Sequence, residues 1–266
     1  MDLTSIISAV VIVTVIGLLG GAILAVAAHF MHVDEDERVG KVTEALPGAN
    51  CGACGYAGCA DYAKAIVGGA PANKCVPGGA KVAGEVAAIM GVEAGAVVKR
   101  MAVVCCQGSY DHTEDKYRYE GIESCAACSA LYGGRATCSY GCMGYGDCAR
   151  ACKFDAIIVS NGLARVNPEN CTGCGACEKA CPNHIIRILP QSDQPVVLCA
   201  NRERGALTHK ACSAGCIGCM KCEKNCEAGA IKVTDNVACI DPEKCTGCRV
   251  CVNNCPVHAI VLPKIV

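Results

Sequence analysis

Cysteine is the residue type whose number and spacing could do chemistry in this chain: 27 of its 266 residues carry a thiol. Two runs, Cys171-x2-Cys174-x2-Cys177-x3-Cys181-Pro182 and Cys245-x2-Cys248-x2-Cys251-x3-Cys255-Pro256, have the spacing of a bacterial [4Fe–4S] run. A compact iron–sulfur cube needs three thiolates converging from one tight loop. That loop cannot also reach the far iron, so the fourth thiolate comes from elsewhere. In two-cluster arrangements the fourth cysteine of each run ligates the other run's cluster.

The cysteines keep a second rhythm. Cys152, Cys181, Cys226 and Cys255 each stand five residues before an isoleucine: Ile157, Ile186, Ile231 and Ile260. Cys152 to Cys181 and Cys226 to Cys255 are both intervals of 29 residues, which marks a duplicated unit whose copies are each built of two halves. In the last copy the first half is also complete, Cys216-x2-Cys219-x2-Cys222-x3-Cys226. The swap then assigns Cys216, Cys219, Cys222 and Cys255 to one cluster, and Cys226, Cys245, Cys248 and Cys251 to its neighbour. In the earlier copy Tyr145 holds the place of Cys219, and Cys138 is the simplest substitute. The expected sets there are Cys138, Cys142, Cys148 and Cys181, and Cys152, Cys171, Cys174 and Cys177. Structural zinc uses two Cys-x2-Cys knuckles across a long spacer, not three cysteines in seven residues followed by a fourth. Disulfides fit less well, because the count is odd and the spacing dense.

A loop of another type, Cys51-Gly-Ala-Cys54-Gly-Tyr-Ala-Gly-Cys59, is followed at a distance by Cys75. These four are expected to hold a fifth cluster, with zinc as the competitor, and a helix should run on from Cys59 with its N-terminus toward the anionic core. Seven cysteines remain. Cys106, Cys125 and Cys128 could supply three ligands of a sixth cluster, or be buried thiols left by the duplication. Cys106 and Cys199 correspond in the repeat, Cys212 holds the place equivalent to Cys138, and Cys105 and Cys239 have no assigned role. Tyr110, Tyr117 and Tyr119 read as local packing, and His184 and His258 as capping or solvated residues.

The elements that must position these thiols are few. Ile6 to Ala28 is uncharged and mostly Ile, Val, Leu, Ala and Gly, long enough as a helix to cross a hydrocarbon core of about 30 Å. A secretory signal fits less well, since Asp2 and no Lys or Arg precedes the run. Asp34-Glu35-Asp36-Glu37 flanks it, and Gly17, Gly21 and Ala25 form a stripe on which another helix could pack. The expected fold is α+β: an anchor over 1–30, a helical [4Fe–4S] domain over 31–100, and two tandem ferredoxin-like modules over 101–195, with an insertion, and 196–266. With no tryptophan and two phenylalanines, packing alone cannot fill these cores. A net charge of −1 offers no basic excess for nucleic acid, and five oxidised clusters would take it to roughly −11. No Gly-x-Gly-x-x-Gly follows a strand and no phosphate loop or nucleophile–base pair stands out, so nicotinamide or flavin chemistry would belong to another subunit.

An uncharged N-terminal helix, then Cys51-Gly-x-Cys-Gly-Tyr-x-Gly-Cys59 with a distant fourth cysteine, then Cys138-x3-Gly-Cys-Met-Gly-Tyr-Gly-Asp-Cys148 and the later runs, resembles the B subunit of Rnf complexes over essentially the whole chain. The resemblance implies a cell (inner) membrane protein, single-pass, with its iron–sulfur domains facing the cytoplasm. It would accept electrons from reduced ferredoxin and pass them to membrane and flavin-containing partners, in an assembly that reduces NAD and pumps Na⁺ or H⁺. The cysteine pattern is also compatible with a membrane-anchored polyferredoxin serving a different reductase, or with a cluster-based redox sensor.

Overall fold

The computed structural model describes residues 3–30 and 36–263. Helix α1 (Leu3–Phe30) takes up the uncharged N-terminal run. Its side chains are described at Ile7 and through 10–26, where the large apolar ones, such as Leu18 and Leu24, are exposed. No helix among the described residues is long and apolar enough to cross a membrane, so the expected transmembrane helix is not shown. Asp34 and Glu35 of the acidic flank lie outside the described residues.

Three helices follow: α2 (Glu37–Ala45), α3 (Cys59–Val67) and α4 (Gly79–Met90). Asp36 caps α2 by accepting the Arg38 N–H at 2.9 Å, and Gly91, at φ 66°, ends α4 in the left-handed conformation that glycine adopts without strain. The helices close on Val42, Tyr62, Ile66 and Val86, all essentially fully buried. The Tyr62 hydroxyl donates to the Pro71 carbonyl at 2.8 Å and accepts the Lys74 N–H at 3.0 Å. It thereby fixes the loop that delivers Cys75.

The rest of the chain shows the duplication as paired ribbons. In the first copy β1 (Arg100–Val104) runs antiparallel to β4 (Ile186–Pro190), and β2 (Ile157–Ser160) forms a hairpin with β3 (Leu163–Val166). In the second, β5 (Val196–Val197) pairs with β8 (Ile260–Val261), and β6 (Ile231–Thr234) with β7 (Val237–Ile240). The four isoleucines of the five-residue rhythm are the first residues of β2, β4, β6 and β8, and all four are buried. Burying each stabilises its copy by about 1.5–3 kcal/mol. Both hairpins turn through two residues at positive φ, Asn161-Gly162 and Asp235-Asn236, as a tight right-twisted hairpin requires.

Short helices carry the cysteine loops: α5 (Cys125–Ser129), α6 (Asp147–Arg150), α7 (Ala176–Ala180), α8 (Gly205–Ala211), α9 (Lys221–Lys224) and α10 (Val250–Asn254). In the insertion, Arg135 pairs with Asp115 at 2.8 Å and lies over the rings of Tyr110 and Tyr145. Tyr119 packs on Tyr145 with centroids 5.6 Å apart, and the Tyr117 hydroxyl donates to the Leu131 carbonyl. These tyrosines are local packing. The cores of both copies consist of Val, Ile, Leu and Ala interleaved with the thiols themselves.

Candidate metal centres

The three Cys-x2-Cys-x2-Cys loops, and the Cys142–Cys148 loop in which Tyr145 replaces the middle cysteine, bend by the same device. The residue two after the first cysteine is Gly144, Gly173, Gly218 or Gly247, and all four have positive φ. At Gly173 (φ 70°) a side chain would also stand 2.5 Å from the Arg100 carbonyl oxygen, so the loop lies directly on the end of β1. The Ala102 N–H there donates to Cys171 Sγ at 3.3 Å. Cys152, Cys171, Cys174 and Cys177 line one cavity of about 290 Å³. Burial, reinforced by the nearness of Cys171, Cys174 and Cys152, pushes the Cys177 thiol up to about 12.

In the second copy Cys216, Cys219, Cys222 and Cys255 line a cavity of about 330 Å³, and the Ala259 N–H donates to Cys255 Sγ at 3.3 Å. Burial, and then Cys216, drives the Cys222 thiol up to about 11. Cys251 is raised by burial and by Cys245 and Cys248, and Cys226 packs in the same core. In the helical domain Cys51, Cys54, Cys59 and Cys75 line a cavity of about 320 Å³. Asn50 accepts the Cys59 N–H at 2.8 Å, which starts α3 at the cavity wall. Burial raises the Cys75 thiol against the Gly78 N–H that favours its anion, and Cys59, Cys51 and Cys54 raise it further.

One expected set differs. Cys142, Cys148 and Cys181 line a cavity of about 340 Å³ with Cys125, not with Cys138. Burial, then Cys142, Cys125 and Cys181, pushes the Cys148 thiol up to about 12. Asp147 explains how a residue so far back in the sequence arrives there. Its carboxylate accepts the Ser124 hydroxyl and the Ala126 N–H, both at 3.0 Å, and pairs with Arg150, so it ties the start of α5 to the start of α6. Cys138 lies instead in an adjoining cavity with Cys106, Cys199 and Cys212, and Cys142 lines both. The triplet of Cys106, Cys125 and Cys128 is therefore not brought together: Cys128 is fully buried against Cys125 and Met143, and Cys106 belongs to the other cavity. Nothing in the spacing points to Cys125, whereas the repeat equivalence of Cys106 with Cys199 and of Cys138 with Cys212 was available in the sequence.

Among the described residues no group of three or more His, Cys, Asp or Glu side chains is arranged to hold a single metal ion. Each cavity is walled by soft sulfur donors and apolar residues, with backbone N–H groups aimed at sulfur. That donor set fits a polynuclear iron–sulfur core, which compensates thiols that burial otherwise holds neutral. His184 and His258, both at φ 51°, close equivalent turns, their N–H groups donating to the carbonyls of Cys181 and Cys255.

Three family models match the chain: an Fe-S cluster family over residues 46–77, a 4Fe-4S binding domain over 164–187 and a 4Fe-4S dicluster domain over 215–259. The chain is 45% identical to the B subunit of the Na(+)-translocating ferredoxin:NAD(+) oxidoreductase complex of Acetobacterium woodii, over 91% of this chain and 73% of that protein. It is 42% identical to the B subunit of the ion-translocating oxidoreductase complex of Methanosarcina acetivorans, over 90% and 91%. To the B subunit of the proton-translocating ferredoxin:NAD(+) oxidoreductase complex of Clostridium ljungdahlii it is 40% identical, over 90% and 85%.

Proposed function

Because the chain belongs to the family of B subunits of ion-translocating ferredoxin:NAD oxidoreductase (Rnf) complexes, we propose that it is the iron–sulfur electron-relay subunit of such a complex, accepting electrons from reduced ferredoxin and passing them to its partner subunits. The observation that carries this reading is the gathering of cysteine quartets around cavities strung along one polypeptide. When bound, [4Fe–4S] clusters supply one-electron chemistry at potentials tuned by hydrogen bonds to sulfur and by solvent exposure. The residues that would hold them are Cys51, Cys54, Cys59 and Cys75; Cys125, Cys142, Cys148 and Cys181; Cys152, Cys171, Cys174 and Cys177; Cys216, Cys219, Cys222 and Cys255; and Cys226, Cys245, Cys248 and Cys251. The chain's own contribution is to place these thiolates and to aim N–H groups such as those of Ala102 and Ala259 at sulfur.

Membrane attachment is part of the same reading. The 28 residues of α1 would measure about 42 Å at 1.5 Å each, and Ile6 to Ala28 carries no charge. A reducing compartment is needed to load the clusters, which places the cysteine domains on the cytoplasmic side of the cell membrane. The flavin and nicotinamide steps then belong to other members of the complex. The anaerobically purified full chain should be reduced by low-potential ferredoxin and show no NADH oxidation. Strong NADH dehydrogenase activity from this polypeptide alone would refute the relay.

A further inference from the structure

We infer that Cys106, Cys138, Cys199 and Cys212 hold an additional [4Fe–4S] cluster at the seam between the two ferredoxin-like copies, a site that neither copy can complete alone. The inference rests on the iron–sulfur reading of the other quartets and extends it to four cysteines that no Cys-x2-Cys loop contains.

The four line one cavity of about 420 Å³, whose wall also includes Cys142 of the neighbouring quartet. Three of them are buried, and Cys199 is half-buried. A methyl group built at Gly108 would stand 3.5 Å from Cys106 Sγ and 3.6 Å from Cys212 Sγ, so those sulfurs, one from each copy, are at most 7.1 Å apart. A methyl at Gly141 would stand 3.7 Å from Cys138 Sγ and 3.8 Å from Cys106 Sγ, which sets a limit of 7.5 Å for that pair.

The hydrogen bonds to sulfur repeat across the seam. Cys106 Sγ accepts the N–H groups of Gly108 at 3.3 Å and Cys142 at 3.4 Å. Cys199 accepts those of Asn201 and Cys216, which occupy the same relative positions in the second copy. Cys212 accepts N–H groups from Ala214 and Gly215, and Cys138 accepts the side-chain amide of Asn201 at 3.5 Å. Asn201 is 1% exposed, and its amide oxygen is engaged by the Glu203 N–H. Its nitrogen therefore points at a sulfur in the cavity wall. Convergent N–H donors stabilise thiolate anions, the form that ligates iron.

The position also gives the site a use. Cys142 and Cys216, whose backbone N–H groups reach Cys106 and Cys199, each belong to a neighbouring quartet, one in either copy. The seam quartet thus stands between the two modules and touches both.

Iron and acid-labile sulfide, counted per polypeptide on the anaerobically purified full chain, test the inference. Six clusters give about 24 irons and five give about 20. The double variant Cys106→Ala/Cys199→Ala is expected to fall from about 24 to about 20 while the EPR signals of the other reduced clusters persist. About 20 irons in the wild-type chain, with or without one zinc, overturns the seam cluster and leaves the relay intact; a chain without iron overturns the relay itself. If the double variant loses far more than four irons, Cys212→Ser, which keeps size and a ligating oxygen, decides. It should change one EPR signal, and an unchanged spectrum overturns the assignment.

Discussion

Gly173 and Gly247 occupy the same place in equivalent loops, at φ 70° and 73°, yet their surroundings differ. A methyl at Gly173 would stand 2.5 Å from the Arg100 oxygen and 2.8 Å from its carbonyl carbon, whereas one at Gly247 would meet nothing within 4 Å. Alanine at either position takes on left-handed strain of about 1–2 kcal/mol. At Gly173 the loop must also part from β1, an overpacking cost of about 1–3 kcal/mol that also weakens the Ala102 N–H bond to Cys171. Gly173→Ala should therefore destabilise its loop by about 2–5 kcal/mol and Gly247→Ala by about 1–2. At a tenfold change per 1.4 kcal/mol, loop opening should rise roughly 30- to several-thousand-fold in the first and roughly 5- to 30-fold in the second. The rate at which anaerobic full-length protein releases iron to excess chelator, each variant compared with the wild-type rate, reads this difference. Equal acceleration in the two variants would show that backbone strain alone governs the loops and that the contact with β1 carries no energy.

Further outcomes concern the residues that position ligands. Cys125→Ala should remove about four irons, while Cys128→Ala, three residues on, should leave the iron count unchanged. Asp147→Asn should weaken the Cys125 loop by about 1–2 kcal/mol in anaerobic denaturation monitored by visible absorbance. Burial pulls the Asp147 carboxyl upward but is outweighed by the Ala126 and Cys125 N–H groups, the Ser124 hydroxyl and Arg150, so its folded value is lowered. Its contribution is then complete above the ordinary carboxylate value of about 3.9 and is lost as pH falls through the lowered one, so variant and wild type should differ equally at pH 6 and 8 and converge only in strong acid. Tyr62→Phe leaves the Pro71 carbonyl and the Lys74 N–H without their shared partner, at a cost of about 1–3 kcal/mol, and should make the iron held near Cys75 the first to be released in a chelator time course.

What could be read from the sequence was whatever is encoded within a loop or by its repetition. Three thiols inside seven residues can converge only if the chain wraps tightly, and a 29-residue interval repeated with an isoleucine at a fixed offset marks strands that start at the same place in each half. The structure accordingly gathers Cys152 with Cys171, Cys174 and Cys177, and Cys255 with Cys216, Cys219 and Cys222. The insertion between Cys106 and Cys142 obeys no such rule. Cys125 reaches its cavity because Asp147 binds the start of α5, and Cys138 turns toward the second copy because Asn201, across the seam, meets its sulfur. Both placements depend on contacts between residues tens of positions apart, whose energies are settled only when the two copies pack. Spacing alone thus tells which thiols belong to each short loop, while packing selects the distant thiol that completes the irregular one and the four that meet between the copies. The reason is that spacing constrains a chain only over the few residues in which its direction persists.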